Sequence, residues 1–242
     1  METEKRIIVS LLGGFEIVYD GHPVLLSKFK ESKAQELFQI LMLYAETGIP
    51  KNKILQNLYD WSQGIDRNDS LNSLLYRLKQ HLTAAGIEHD EYVTIKNGVC
   101  KWTDEIPVEV DAIRFVQLVS RSQALDQKAK KAMLMEAFWL YRGELLAGAT
   151  GKSWLIEERI RLKRVFETCI RQLGDLLDNP KEQEERFQIY SRASEFYPYD
   201  EWQIDQIDSL QKWRNLMKPM HFILEQCKSI LMIWDCRRHR KC

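Results

Sequence analysis

Leucine recurs at positions 71, 74, 75, 78 and 82, spacings of i, i+3, i+4, i+7 and i+11. An α-helix gathers that set into one apolar stripe, because 3.6 residues per turn stack those positions above one another. A strand would scatter the same five leucines over both of its faces. The stripe leaves Asn72, Ser73, Tyr76, Arg77, Lys79 and Gln80 on or near the outer face. Asp66, Asn68 and Asp69 offer N-caps upstream, and Gly86 stops the helix. YVTIKNGVCKW at 92–102 follows, two short alternating arms around Asn97-Gly98. Tyr92, Val93 and Ile95 stand in one arm, Val99 and Trp102 in the other, as in a tight hairpin.

The residues before this segment supply its context. RIIVSLLGG and then FEIVYDGHPVLL, over residues 6–26, predict a small antiparallel sheet with Asp20-Gly21 as its hairpin turn. Ser32 to about Glu46 reads as a helix with Ala34, Leu37, Phe38, Leu41 and Ala45 on one face, ended by Gly48. Pro50 suits the first position of a second helix carrying Ile54, Leu55, Leu58 and Tyr59. A loop, WSQGIDRND, leads to the leucine-striped third helix. Sheet, three helices and hairpin, in that order, is the arrangement of a winged helix. In that fold the third helix enters the major groove and the hairpin reaches a neighbouring backbone or minor groove.

From Val110 onward the strand pattern gives way to helices at about 110–125, 127–141, 153–178, 181–197 and 200–213, with a further one at 219–234. Tyr190, Ala193 and Pro198 stand at Y-x2-A-x4-P, the second-helix spacing of a tetratricopeptide unit. The expected fold is therefore an α+β N-terminal winged helix-turn-helix followed by an all-α tetratricopeptide-like domain. The boundary falls near Asp104–Pro107, giving a DNA-binding domain at 1–105 and a helical domain at 106–242.

Arg77 is the leading candidate for a base or phosphate contact, with Asn72, Ser73, Tyr76 and Gln80 sharing its surface. Lys79 and Lys96 are placed to hold phosphates, and Asn97 stands at the tip of the wing. The same residues also fit an ordinary solvated helix face beside an ordinary hairpin. Charge favours that plainer alternative. Lys+Arg and Asp+Glu number 35 each over the chain, and residues 1–105 hold 12 against 15, a balance of about −3. Phosphate neutralisation supplies most non-specific affinity, so a lone monomer should bind DNA weakly.

Other chemistries find little support. Hydrophobic residues at 45% and charged residues at 29% are an ordinary soluble balance, and 242 residues allow one large or two modest domains. The five cysteines form no CxxC pair and no even framework, and no signal peptide or apolar span of membrane length stands out, so a reducing cytoplasm is expected. GATGKS at 148–153 ends like a phosphate loop, but Leu146 stands where that motif needs glycine. Lys152 and Ser153 read as a loop and a helix N-cap. Glu157-Glu158 and Glu182/Glu184/Glu185 read as solvated helix faces, and the aromatic residues from Trp139 to Trp202 as packing between helices. No catalytic grouping, cofactor site or metal site is expected.

These features together resemble the regulators of the Streptomyces antibiotic regulatory protein (SARP) type. Such proteins join a response-regulator-type winged helix to a bacterial transcriptional activator domain. LLGGFEIVYDG, SKAQELFQILML, SLNSLLYRLKQHL, VDAIRFVQLV, AFWLYRGELL, SWLIEERIRLKRVFE and FYPYDEWQI carry the resemblance, from about residue 7 to 213. It implies that 70–82 is the recognition helix, with Arg77 and Lys79 at its R-L-R/K positions, and that Tyr92–Trp102 is the wing. It further implies an activator that binds promoter repeats in double-stranded DNA and recruits RNA polymerase. The chain departs from the family in its acidic first half and after about Trp213. There Pro219, SILMIW and DCRRHRKC fit a tetratricopeptide helix poorly, as in a truncated end. An apolar helix face left uncovered there would be closed by a homodimer. The alternative function is a protein-interaction adaptor whose winged helix no longer binds DNA.

Overall fold

The computed structural model describes residues 6–24, 32–59 and 67–214. The expected helix at 219–234, the basic tail, the Asp66 cap and the loop before it lie outside the described residues. Two compact units emerge: one from residues up to Arg121 together with Glu136–Val165, the other from Ser122–Met135 and from Phe166 onward.

The first unit opens with β1 (Ile7–Ser10), β2 (Glu16–Tyr19) and β3 (His22–Pro23). Asp20 and Gly21 both take positive φ, 49° and 77°, which is what a two-residue turn between twisted strands requires. A seventh strand, β7 (Val108–Val110), pairs parallel to β1 and completes a sheet of order β3-β2-β1-β7. Three residues show too little alternation to announce themselves, so the sequence reading begins a helix at 110 instead. That helix, α4 (Asp111–Ser122), starts with Asp111, whose carboxylate accepts the Leu11 and Leu12 N–H groups at 2.8 and 3.1 Å. The end of β1 is thus satisfied by a side chain 99 and 100 residues away.

Helix α1 (Lys33–Leu43) is capped by Ser32, whose hydroxyl accepts the Gln35 N–H at 3.1 Å. It is buried nearly all round, Ile40 and Met42 included, rather than along the one predicted face. It also ends earlier than Glu46, in a turn whose Gly48 N–H donates to the Tyr44 carbonyl at 2.8 Å. Pro50 serves as N-cap of α2 (Lys51–Leu58), not as its first residue. Ile49–Pro50 instead forms a short strand, β4, paired to the hairpin. Helix α3 (Arg67–Ala84) follows, then β5 (Val93–Lys96) and β6 (Val99–Trp102), giving a second sheet of order β4-β6-β5. Asn68 and Asp69 stand inside α3, so neither is its cap. This is a winged helix-turn-helix with a small sheet before it.

The remaining helices are α5 (Gln127–Leu140), α6 (Ser153–Leu176), α7 (Gln183–Phe196) and α8 (Trp202–Arg214), each within a few residues of its predicted span. A 3-10 turn at Pro180–Glu182 precedes α7. In the second unit Tyr190 and Ala193 are buried, as the tetratricopeptide spacing requires. Gly174 makes room for the Tyr190 ring: a Cβ there would lie 2.0 Å from the tyrosine hydroxyl. Arg186 reaches Asp178 and Asp208, each at 3.2 Å, and Lys131 reaches Glu182 and Glu185 at 2.7 and 2.8 Å. Trp139 and Tyr199 keep more than half of their surface exposed, so neither is enclosed between helices as expected.

Candidate nucleic-acid interface

Eighteen residues give α3 a length of about 27 Å at 1.5 Å per residue. Leu71, Leu74, Leu78 and Leu82 are buried and Leu75 is half-buried, so the leucine stripe is the inner face. Asn72, Ser73, Tyr76, Arg77, Lys79 and Gln80 are all exposed, and Tyr76 keeps 63% of its surface despite its size. Helical geometry puts Asn72, Ser73, Tyr76 and Gln80 at the centre of this face, with Arg77 and Lys79 at opposite edges. Arg77 makes no ion pair with a described residue.

Lys79 is partly committed. Its ammonium donates to the Asp90 carbonyl at 2.7 Å, bracing the connection between α3 and β5 and leaving two of its three donors unspent. A cleft of about 200 Å³ lies along this edge, between Leu75, Lys79 and the Asp90–Val93 segment. Exposed Asp90 and Glu91 line it, exposed Glu88 lies on a neighbouring cleft beside Lys79 and Thr83, and His89 meets Glu105 at 3.0 Å. The wing-side edge of α3 is therefore acidic. These carboxylates are part of the acidic balance of residues 1–105.

The wing is held from three directions. Tyr92, 4% exposed, donates its hydroxyl to the Ile87 carbonyl and accepts the His89 N–H at 3.2 Å. Trp102 packs edge-on to Phe38 of α1 at 5.7 Å, and its indole N–H donates to the Ile106 carbonyl at 3.1 Å. The Lys51 N–H donates to the Gly98 carbonyl at 2.8 Å, tying the hairpin turn to the start of α2. Gly48 allows β4 to lie this close, since a Cβ there would stand 2.7 Å from the Val99 Cγ1. Lys96 and Asn97 are exposed at the tip, where Asn97 and Gly98 take φ of 51° and 76°. Lys101, the second basic residue of the hairpin, is engaged by Asp104 at 2.8 Å. Sequence reasoning misses Tyr92 as a brace, because it reads there only as a strand aromatic.

Lys152 of the GATGKS loop is paired with Glu36, a buried carboxylate of α1 that also accepts the Trp154 indole N–H at 3.0 Å. Arg159 ties down the same loop through the Leu145 and Leu146 carbonyls, both at 2.8 Å. A phosphate cradle presents backbone N–H groups, whereas these contacts spend carbonyls on an internal arginine. Ser153 is the first helical residue of α6, not its cap. Glu158 is not the solvated residue expected: it accepts the Tyr44 hydroxyl at 2.7 Å. Burial, then this hydrogen bond, push the Tyr44 phenol well above its ordinary range. Among the described residues no group of three His, Cys, Asp or Glu side chains is placed to hold a metal ion, and no helix is long and apolar enough to cross a membrane.

Residues 110–207 match the family described as the bacterial transcriptional activator domain. The fold is similar to a structure of Mycobacterium tuberculosis EmbR in complex with a low-affinity phosphopeptide. That likeness has a TM-score of 0.50 at 15% identity, over 96% of this chain and 72% of that one. No curated protein matches the sequence.

Proposed function

We propose that this chain, a SARP-type regulator by its bacterial transcriptional activator domain and its winged-helix architecture, is a sequence-specific activator that reads promoter DNA through α3 and the wing. Residues 1–105 form the DNA-binding part, and 106–242 the part that contacts other proteins. The observation that carries the reading is the outer face of α3. Six polar side chains there are exposed, on a helix whose inner stripe is buried and beside a wing anchored to α1 and α2.

Each residue has a role. Arg77, with a planar guanidinium and no ion-pair partner among the described residues, reads a guanine edge or clasps a phosphate. Asn72, Ser73, Tyr76 and Gln80 face the groove floor or its rim. Lys96 and Asn97 meet a backbone from the wing, and Lys79 gives its remaining donors to a phosphate. The acidic edge at Glu88–Glu91 limits the affinity of one copy. A second copy through the helical domain, or RNA polymerase on the same promoter, supplies the rest.

Selection of sites from a random pool of duplex DNA at low salt tests this reading. The full chain should enrich one motif, and Arg77→Ala should lose preference at one position by about 1–3 kcal/mol. The same acidic edge favours a second reading, an adaptor whose winged helix docks a protein. Failure to enrich any sequence would select that reading.

A further inference from the structure

The helical unit carries a groove of about 520 Å³ that DNA binding does not use. Glu167 of α6 and Asp200, Glu201 and Asp205 at the start of α8 line it with carboxylates, against Arg171 as the cation among the lining residues. Apolar surface is exposed beside the charges: Tyr199 keeps 86% of its area and Ile204 63%. Trp202, only 3% exposed, also lines the groove. It is stacked on Tyr190 at 6.3 Å with the Arg171 guanidinium 5.3 Å from its ring centre, so its position is fixed. Its indole N–H has no hydrogen-bond partner among the described residues. An orphaned buried donor costs free energy. Burial pushes the Asp205 carboxyl up, against the opposing pull of Arg186 and Arg171.

We propose that this groove docks a segment of a partner protein that carries two or more Arg or Lys residues around one apolar side chain. The cationic groups meet Glu201, Asp205 and their neighbours. The apolar side chain covers Tyr199 and Ile204. Charge complementarity selects such a segment over an acidic one, and the exposed aromatic and isoleucine supply the anchor that charge alone lacks. The inference rests on the reading that the helical part contacts another protein, and it names the chemistry of that contact.

The test uses the full chain and a fluorescein-labelled decapeptide alternating Arg and Leu, with a Glu-Leu decapeptide as control, read by fluorescence anisotropy at physiological salt. Saturable binding of the first peptide alone is expected. The pair Glu201→Gln/Asp205→Asn should weaken it about tenfold, and Ile204→Ser about fivefold, with circular dichroism unchanged. The remote pair Glu88→Gln/Glu91→Gln should leave it unaltered. Equal weakening by both pairs, or no saturable binding, overturns the proposal. So does carbodiimide coupling of Glu201 to Lys241 within one chain, which would make the chain's own end the occupant. DNA selection by the same preparations separates the two readings: loss of DNA binding with peptide binding intact refutes only the first.

Discussion

Replacing Gly48 with alanine isolates what holds the wing in place. The residue has φ +70°, and an added Cβ would meet the Val99 Cγ1 at 2.7 Å, the Cys100 carbonyl at 3.2 Å and the Lys101 Cβ at 3.3 Å. Left-handed backbone costs a non-glycine residue about 1–2 kcal/mol. Forcing a methyl into occupied space adds about 1–3 kcal/mol. Gly21 provides the control, because it has φ +77° and open space around its Cβ position. Gly21→Ala should therefore pay only the backbone cost. Gly48→Ala should be worse by the packing cost, and Val99→Ala in the same chain should recover much of that difference. Urea denaturation gives the totals, and amide exchange of residues 93–102 gives the location, with a 5- to 150-fold faster opening expected for about 1–3 kcal/mol. Equal destabilisation by Gly48→Ala and Gly21→Ala, or no recovery with Val99→Ala, would refute the claim that β4 sets the wing by close approach.

Three further outcomes follow from buried groups. Asp111→Ala removes the acceptor for the Leu11 and Leu12 N–H groups and should destabilise by roughly 3–5 kcal/mol in urea, with Asp111→Asn milder because one acceptor oxygen remains. Glu36→Ala leaves the buried Trp154 indole N–H without its acceptor and should cost about 1–3 kcal/mol, whereas a loss below about 0.5 kcal/mol would contradict that hydrogen bond. Burial pushes the Cys169 thiol up to about 12 and that of Cys100 upward as well, so neither should be alkylated by iodoacetamide at pH 8 until denaturant is added. Peptide mass spectrometry reads that outcome, and rapid labelling of the native chain would count against it.

What the sequence made legible was whatever repeats locally. The stripe Leu71–Leu82, the Asn97-Gly98 turn and the Tyr190/Ala193 spacing each express a period or a dihedral requirement within a few residues, and each stands where it was read. Strands β4 and β7 were not legible, because two or three residues become strands only through partners about 50 and 100 positions away. The exposure of the α3 face followed from the stripe. The commitment of Lys79 to Asp90 and of Lys152 to Glu36 did not, since side-chain pairing depends on the assembled tertiary structure. Glu158 was misjudged for the same reason: its partner Tyr44 is 114 residues away.

The role of α3 is tested most directly by measuring affinity for the selected DNA site and for single-base variants of it, across a salt series, with Arg77→Ala and Lys96→Ala. If α3 reads bases while the wing holds backbone, Arg77→Ala flattens the preference at one base pair. Lys96→Ala then weakens all sites alike and lowers the salt slope by about one. Uniform weakening by both substitutions, with the preference at every base pair intact, would contradict a reading role for α3.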